Sequence, residues 1–77
     1  MPVVFNGERL RRERESQART QLWLAIKTGL SERYIRMLEH GVKQNPSAVA
    51  LQQICNALEL QVEDLLEMRK EKDEDTE

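Results

Sequence analysis

Aromatic residues, proline, glycine and cysteine are all scarce in this chain of 77 residues: one Phe, one Trp, one Tyr, two Pro, three Gly and one Cys. A lone cysteine, Cys55, excludes an internal disulfide framework and fits a reducing compartment. One histidine beside one cysteine cannot supply a Cys/His zinc site. No apolar run approaches the ~20 residues of a membrane span, and the N-terminus does not read as a secretory signal. No nucleophile–base pair, metal cluster or phosphate-cradling loop is legible, so neither an enzyme nor a cofactor is expected. What is present favours helices: charged residues make up 34%, aromatics only 4%, and Leu and Ala are common. The length allows one domain, whose small core buries roughly 60% of the unfolded surface. A cytoplasmic, all-α domain is the expectation.

The formal net charge of −2 conceals an asymmetry. Residues 1–43 carry nine lysines and arginines against five acids, net +4, whereas residues 67–77 carry three against six, net −3. One face can therefore be positive on a chain that is acidic overall. The end of the chain, "EMRKEKDEDTE", has almost no apolar residue after Met68 and reads as a frayed, charged tail over 67–77, outside a domain spanning 1–66.

Along the chain, "MPVVF" is a short apolar leader. "GERLRRERES", residues 7–16, has helix-forming composition with Leu10 as its one clearly apolar member. Thr20 offers a hydroxyl N-cap to "QLWLAIKT", which Gly29 ends. Ser31 caps "ERYIRMLEH", which runs to Gly41. After the polar "VKQN", Pro46 stands near the first position of "SAVALQQICNAL", with Ala50, Leu51, Ile54, Cys55 and Leu58 on one stripe. "VEDLLEMRK" follows, with Val62, Leu65 and Leu66 apolar. Five short helices and no strand pattern are predicted.

The informative spacing lies in residues 20–41. A helix, a glycine, two residues and a second capped helix describe a helix-turn-helix, two helices crossing steeply through a tight turn. Gly29 supplies the positive φ of that turn. With Leu24, Ile35 and Leu38 inward, residues 32, 33, 36 and 37 turn outward together. Such a helix fits the roughly 12 Å major groove of duplex DNA, where its N-terminal residues meet base edges. Arg33 can offer two parallel donors to guanine. Arg36 is a second such residue or reaches a phosphate. Glu32 accepts from a cytosine amino group or, four residues before Arg36, orients it. Met37 touches a thymine methyl or fills space. Without the motif, the same residues describe an ordinary solvated helix face.

Over residues 7–66, most of its length, the chain resembles the phage-repressor and Cro-type helix-turn-helix family, also called XRE-like. The matching residues are Thr20-Gln21, Leu24-Ala25, Gly29, Ser31, Ile35, Leu38-Glu39 with Gly41, Asn45-Pro46, Leu51, Ile54, Ala57-Leu58 and Leu65-Leu66. The resemblance implies a compact five-helix, lambda-repressor-like domain that binds double-stranded DNA with the helix beginning at Ser31, commonly as a homodimer on a near-palindromic operator. It implies a phosphate contact for Gln21, base-reading positions at Glu32, Arg33 and Met37, and a phosphate-contacting turn and loop at His40, Lys43, Gln44 and Asn45. Tyr34 is expected to pack at the helix edge with its hydroxyl near a phosphate. Arg14 and Glu39 match a pair that forms an internal salt bridge.

The pattern is also broken. Ala18 stands where a glycine is usual, Arg19 where an apolar residue is, Glu13 where an apolar residue is common, and Thr28 where a larger apolar side chain is. Conversely, Leu22, Trp23 and Ile26 are apolar at positions that are usually polar. A contiguous patch of this kind calls for cover, either by Val3, Val4 and Phe5 or by a partner subunit. The patch, the weak net charge and Glu32 also suit an alternative, a helical protein-interaction module of antitoxin or adaptor type that keeps the fold.

Overall fold

The computed structural model describes residues 3–68. Four α-helices, α1 (Gly7–Ser16), α2 (Gln21–Thr28), α3 (Glu32–Glu39) and α4 (Ala48–Leu58), surround one apolar core. Leu10, Leu24, Ile35, Leu38, Ile54, Leu58 and Leu65 are fully enclosed in it.

Capping sets the helix boundaries. Thr20, Ser31 and Ser47 each accept a hydrogen bond from a backbone N–H three residues on, at 2.9–3.0 Å. Each satisfies a donor that the helix itself leaves orphaned. Asn6 does the same for α1 through the Arg9 N–H. The helix predicted from residue 47 therefore starts one residue later, with Pro46 before the cap rather than inside the first turn. At the other end of α2, Gly29 takes φ +77° and returns its N–H to the Ala25 C=O. A side chain there would be strained by the left-handed backbone.

The fifth helix is a correction. Residues Val62–Leu65 form a single 3-10 turn, and Leu66–Met68 leave it as a β-strand, β2. β2 pairs antiparallel with β1 (Val3–Phe5), matching Val3 with Met68, Val4 with Glu67 and Phe5 with Leu66. Asn6 extends the tie, its side chain donating to Glu67 at 2.9 Å across 61 residues of sequence. The reason is tertiary: the apolar leader offers an extended edge, and Phe5 enters the core at 7% exposure. The domain therefore reaches past residue 66, the tail expected over 67–77 begins in β2, and residues 69–77 lie outside the described residues.

The same pairing decides the patch on α2. β1 is engaged with β2 and Phe5 with the core, and Leu22 and Ile26 stay 54% and 71% exposed. Cover by Val3–Phe5 is therefore not how this chain treats them. Trp23 packs partly against the core, with the Arg19 guanidinium 4.3 Å above its ring and the Lys27 ammonium at 5.9 Å. The misplaced-looking Arg19 and Trp23 are thus partners in a cation–π stack.

The other departures are absorbed locally. Ala18 adopts the left-handed conformation, φ 57°, that glycine would take at less cost. Thr28 is buried with its hydroxyl donating to the Leu24 C=O at 2.7 Å and accepting from the Leu30 N–H at 3.2 Å. Glu13 receives the Arg9 Nε–H at 2.7 Å. Cys55 is 1% exposed, and burial, aided by Asp64 and Glu63, raises its thiol above the ordinary range.

Gly7 sets how closely α1 approaches α3. A Cβ built there would lie 1.9 Å from the Leu38 carbonyl oxygen, a backbone atom that cannot swing away.

Candidate nucleic-acid interface

α3 separates its two flanks by helical period. Ile35, Leu38 and Glu39 are buried, while Ser31, Arg33, Arg36 and His40 are exposed and Glu32, Tyr34 and Met37 are intermediate. The outward group read from the sequence is therefore brought together on one side. Arg33 takes part in no ion pair among the described residues, so its guanidinium is open to solvent. Arg36 Nη2 lies 3.9 Å from Glu32 Oε2, a loose i,i+4 pair that tethers Arg36 without enclosing it. Tyr34 packs against the core edge, and Met37 is half-buried.

The turn after α3 is held by the helix end. The Val42 and Lys43 N–H groups both donate to the Met37 C=O, at 3.0 and 3.1 Å. Gln44 Nε2 donates to the Gly41 C=O at 3.0 Å. His40, Lys43, Gln44 and Asn45 are all exposed, on a loop that continues from the same end of α3.

Behind this surface sits a buried polar knot. Arg14 grips the Glu39 carboxylate with two donors, Nε to Oε2 at 2.7 Å and Nη2 to Oε1 at 3.0 Å. Its remaining arm, Nη1, reaches the Arg19 C=O at 2.7 Å. Gln21 Nε2 donates to the same Glu39 oxygen at 3.0 Å. The Glu39 hydrogen bond is the main reason that the Arg14 pKa lies above the ordinary arginine value, with desolvation opposing it. One carboxylate thereby locks together α1, the link before α2, the first residue of α2 and the last residue of α3. The sequence supplied the Arg14–Glu39 pair by resemblance; Gln21 as its third member and the Arg19 carbonyl as its fourth are visible only in three dimensions. The Arg19–Trp23–Lys27 stack was likewise not read, although its regular four-residue spacing was a usable signal.

No group of histidine, cysteine or acidic side chains among the described residues is arranged to hold a metal ion. No described helix is long and apolar enough to cross a membrane.

Two capped helices that meet at a left-handed glycine, one sealed by its inner flank and polar on its outer flank, define the helix-turn-helix class. Residues 7–68 match the family model described as a helix-turn-helix domain, and the chain belongs to that family. It is similar to the restriction-modification controller protein C.AhdI from Aeromonas hydrophila, at 31% identity over 75% of this chain and 86% of that one, with a TM-score of 0.71. It is also similar to SinR, the master regulator for biofilm formation, in a crystal structure with DNA: 26% identity, 75% of this chain, 95% of that one, TM-score 0.72. The N-terminal DNA-binding domain of SinR from Bacillus subtilis, in solution, matches at 26% identity over 88% and 99% of the two chains, with a TM-score of 0.71. No curated protein matches the chain.

Proposed function

We propose that this chain is a sequence-specific DNA-binding transcriptional regulator that lays α3 in the major groove. The observation that carries the reading is the outer flank of α3, where Arg33, Arg36 and His40 are exposed on a helix locked from behind by Arg14, Glu39 and Gln21. Arg33 near the helix N-terminus offers a bidentate fork to guanine, and Arg36 is held by Glu32 within reach of a second base or a phosphate. The Gln21 amide has two N–H donors; Glu39 takes one, and the other is the donor for a phosphate. His40, Lys43, Gln44 and Asn45 contact the backbone beyond α3. A regulator of this kind works in the cytoplasm, as a homodimer whose two α3 helices sit about 34 Å apart on successive turns of a near-palindromic site. The similarity to C.AhdI and to DNA-bound SinR supports the same reading.

Selection of bound sequences from random duplex DNA tests this directly. The expected product is a pair of inverted half-sites spaced by one helical turn, bound with an affinity that falls steeply as salt rises. An enriched pool with no shared motif would remove the sequence-specific reading.

The exposure of Leu22 and Ile26 favours a second surface, for a protein partner on α2. A chain acting only as an interaction module of antitoxin or adaptor type would show no salt-dependent DNA binding, and the same titration separates the two.

A further inference from the structure

The two-stranded ribbon leaves each strand with one edge that no other described strand occupies. Such edges are templates for another strand. Ladder alternation identifies the groups on them. The Asn6 N–H donates inward to the Leu65 C=O, just before β2, at 2.7 Å, so by alternation Val4 bonds across to β2 while Val3 and Phe5 turn their backbone groups outward. On β2 the same rule turns Leu66 and Met68 outward, and the Leu66 N–H is already bound to the Glu63 C=O. Side chains alternate by face, placing Val3, Phe5, Leu66 and Met68 together on one side of the ribbon. That apolar face is closed at Phe5, 7% exposed, and open at Val3 and Met68, 57% and 67% exposed.

We propose that the outer edge of β1 is the docking surface for a second copy of this chain, β1 against β1 about a two-fold axis through Val4. The two ribbons then form one continuous sheet. Val3 of each copy faces Phe5 of the other and exchanges N–H···O=C bonds with it, and Val4 faces its own counterpart. The exposed Val3 side chain comes to rest beside the other copy's Phe5. Only an extended backbone can satisfy this edge, and β1 is complementary to itself. It carries no charged side chain, whereas β2 paired with β2 would set Glu67 near Glu67, and part of the β2 edge is spent on Glu63. So short an edge makes a small contact, which adjacent half-sites on DNA strengthen by raising the local concentration. The contact supplies the dimer that the proposed function calls for, and its use on DNA rests on that reading.

Engineered cysteines read the register. A pair facing across the axis has Cα atoms about 4.5 Å apart, within disulfide reach, while a pair displaced along the strands exceeds about 7 Å and is not. Under mild oxidation Val4→Cys is expected to form a covalent dimer about tenfold faster than Val3→Cys, with Cys55 enclosed and silent in both. Val3→Pro removes the outward N–H while the Val4 bonds to β2 remain, a position where an edge strand tolerates proline. Its unfolding midpoint should match the wild type, and it should bind a single half-site normally but lose cooperative binding to the paired site. Cross-linking of Val4→Cys no faster than Val3→Cys overturns the pairing. So does association of Val3→Pro equal to the wild type, or loss of association only in a Leu22→Glu, Ile26→Glu double variant. Cross-linking needs no DNA, so its failure removes the strand contact and leaves the α3 reading standing. Absence of DNA binding in a chain that does cross-link removes the α3 reading alone.

Discussion

The inner and outer flanks of α3 belong to one eight-residue helix and obey different constraints. Inward, Ile35 and Leu38 are fully enclosed and Glu39 is bound by Arg14 and Gln21. Outward, Arg33 and Arg36 stay in water, with a single loose contact to Glu32 between them. The comparison teaches that position and contact are separable: the inner flank fixes where the helix lies, and the outer flank is left free to meet something else. Changes on the inner side should appear in stability, and changes on the outer side in binding.

The largest effect is expected from Glu39→Ala. It leaves the buried Arg14 guanidinium with only the exposed Glu15 carboxylate, 3.9 Å away, and denaturant unfolding should show a loss of about 3–5 kcal/mol. Replacing both partners together, Arg14→Met with Glu39→Leu, should cost much less than Glu39→Ala alone, because no charge is then stranded. A double variant as unstable as the single one would mean that the pair acts as more than a satisfied burial.

Gly7→Ala sharpens the comparison from the opposite helix. Alanine is the better helix former, yet its Cβ has no room beside the Leu38 carbonyl, so a loss of about 1–3 kcal/mol is expected. A gain in melting temperature would show that α1 can lift from α3 without cost.

On the outer flank, Arg33→Ala should weaken binding to the selected site by about 1–3 kcal/mol and relax one base position, with unfolding changed by less than about 0.5 kcal/mol. A variant that unfolds early but binds its site normally would reverse the assignment of the two flanks. The smallest effect belongs to Glu32→Gln. Stability should move by less than about 0.5 kcal/mol, since the pair is exposed and loose. DNA affinity should rise at low salt, as one negative charge leaves the outer flank of α3. Weaker binding would show that Glu32 positions Arg36 or meets a base itself.

Much of this was legible in the chain. α1 spans the residues its composition marked, and α2 and the start of α3 lie where their caps placed them, because Thr20, Gly29 and Ser31 act on their own neighbours within a few residues. The flanks of α3 were legible for the same reason, since helical period alone sorts Ile35 and Leu38 from Arg33 and Arg36. "VEDLLEMRK" was misread because its apolar spacing suits a helix, and the strand partner that reclaims Leu66–Met68 lies near the other end of the chain. The Leu22, Trp23 and Ile26 patch was only partly legible: sequence showed the excess of apolar surface, but not that Arg19 and Lys27 would flank the Trp23 ring.

Local chemistry, written in the residues themselves, determined the four helices, their caps and the polar flank turned outward from α3, since each depends on contacts within a turn or two of chain. Only the tertiary structure decided that Val3–Phe5 and Leu66–Met68 form a ribbon, that Gly7 admits the Leu38 carbonyl, and that Gln21 joins Arg14 on Glu39. Those outcomes depend on which distant segments arrive side by side, and packing settles that where local preference cannot.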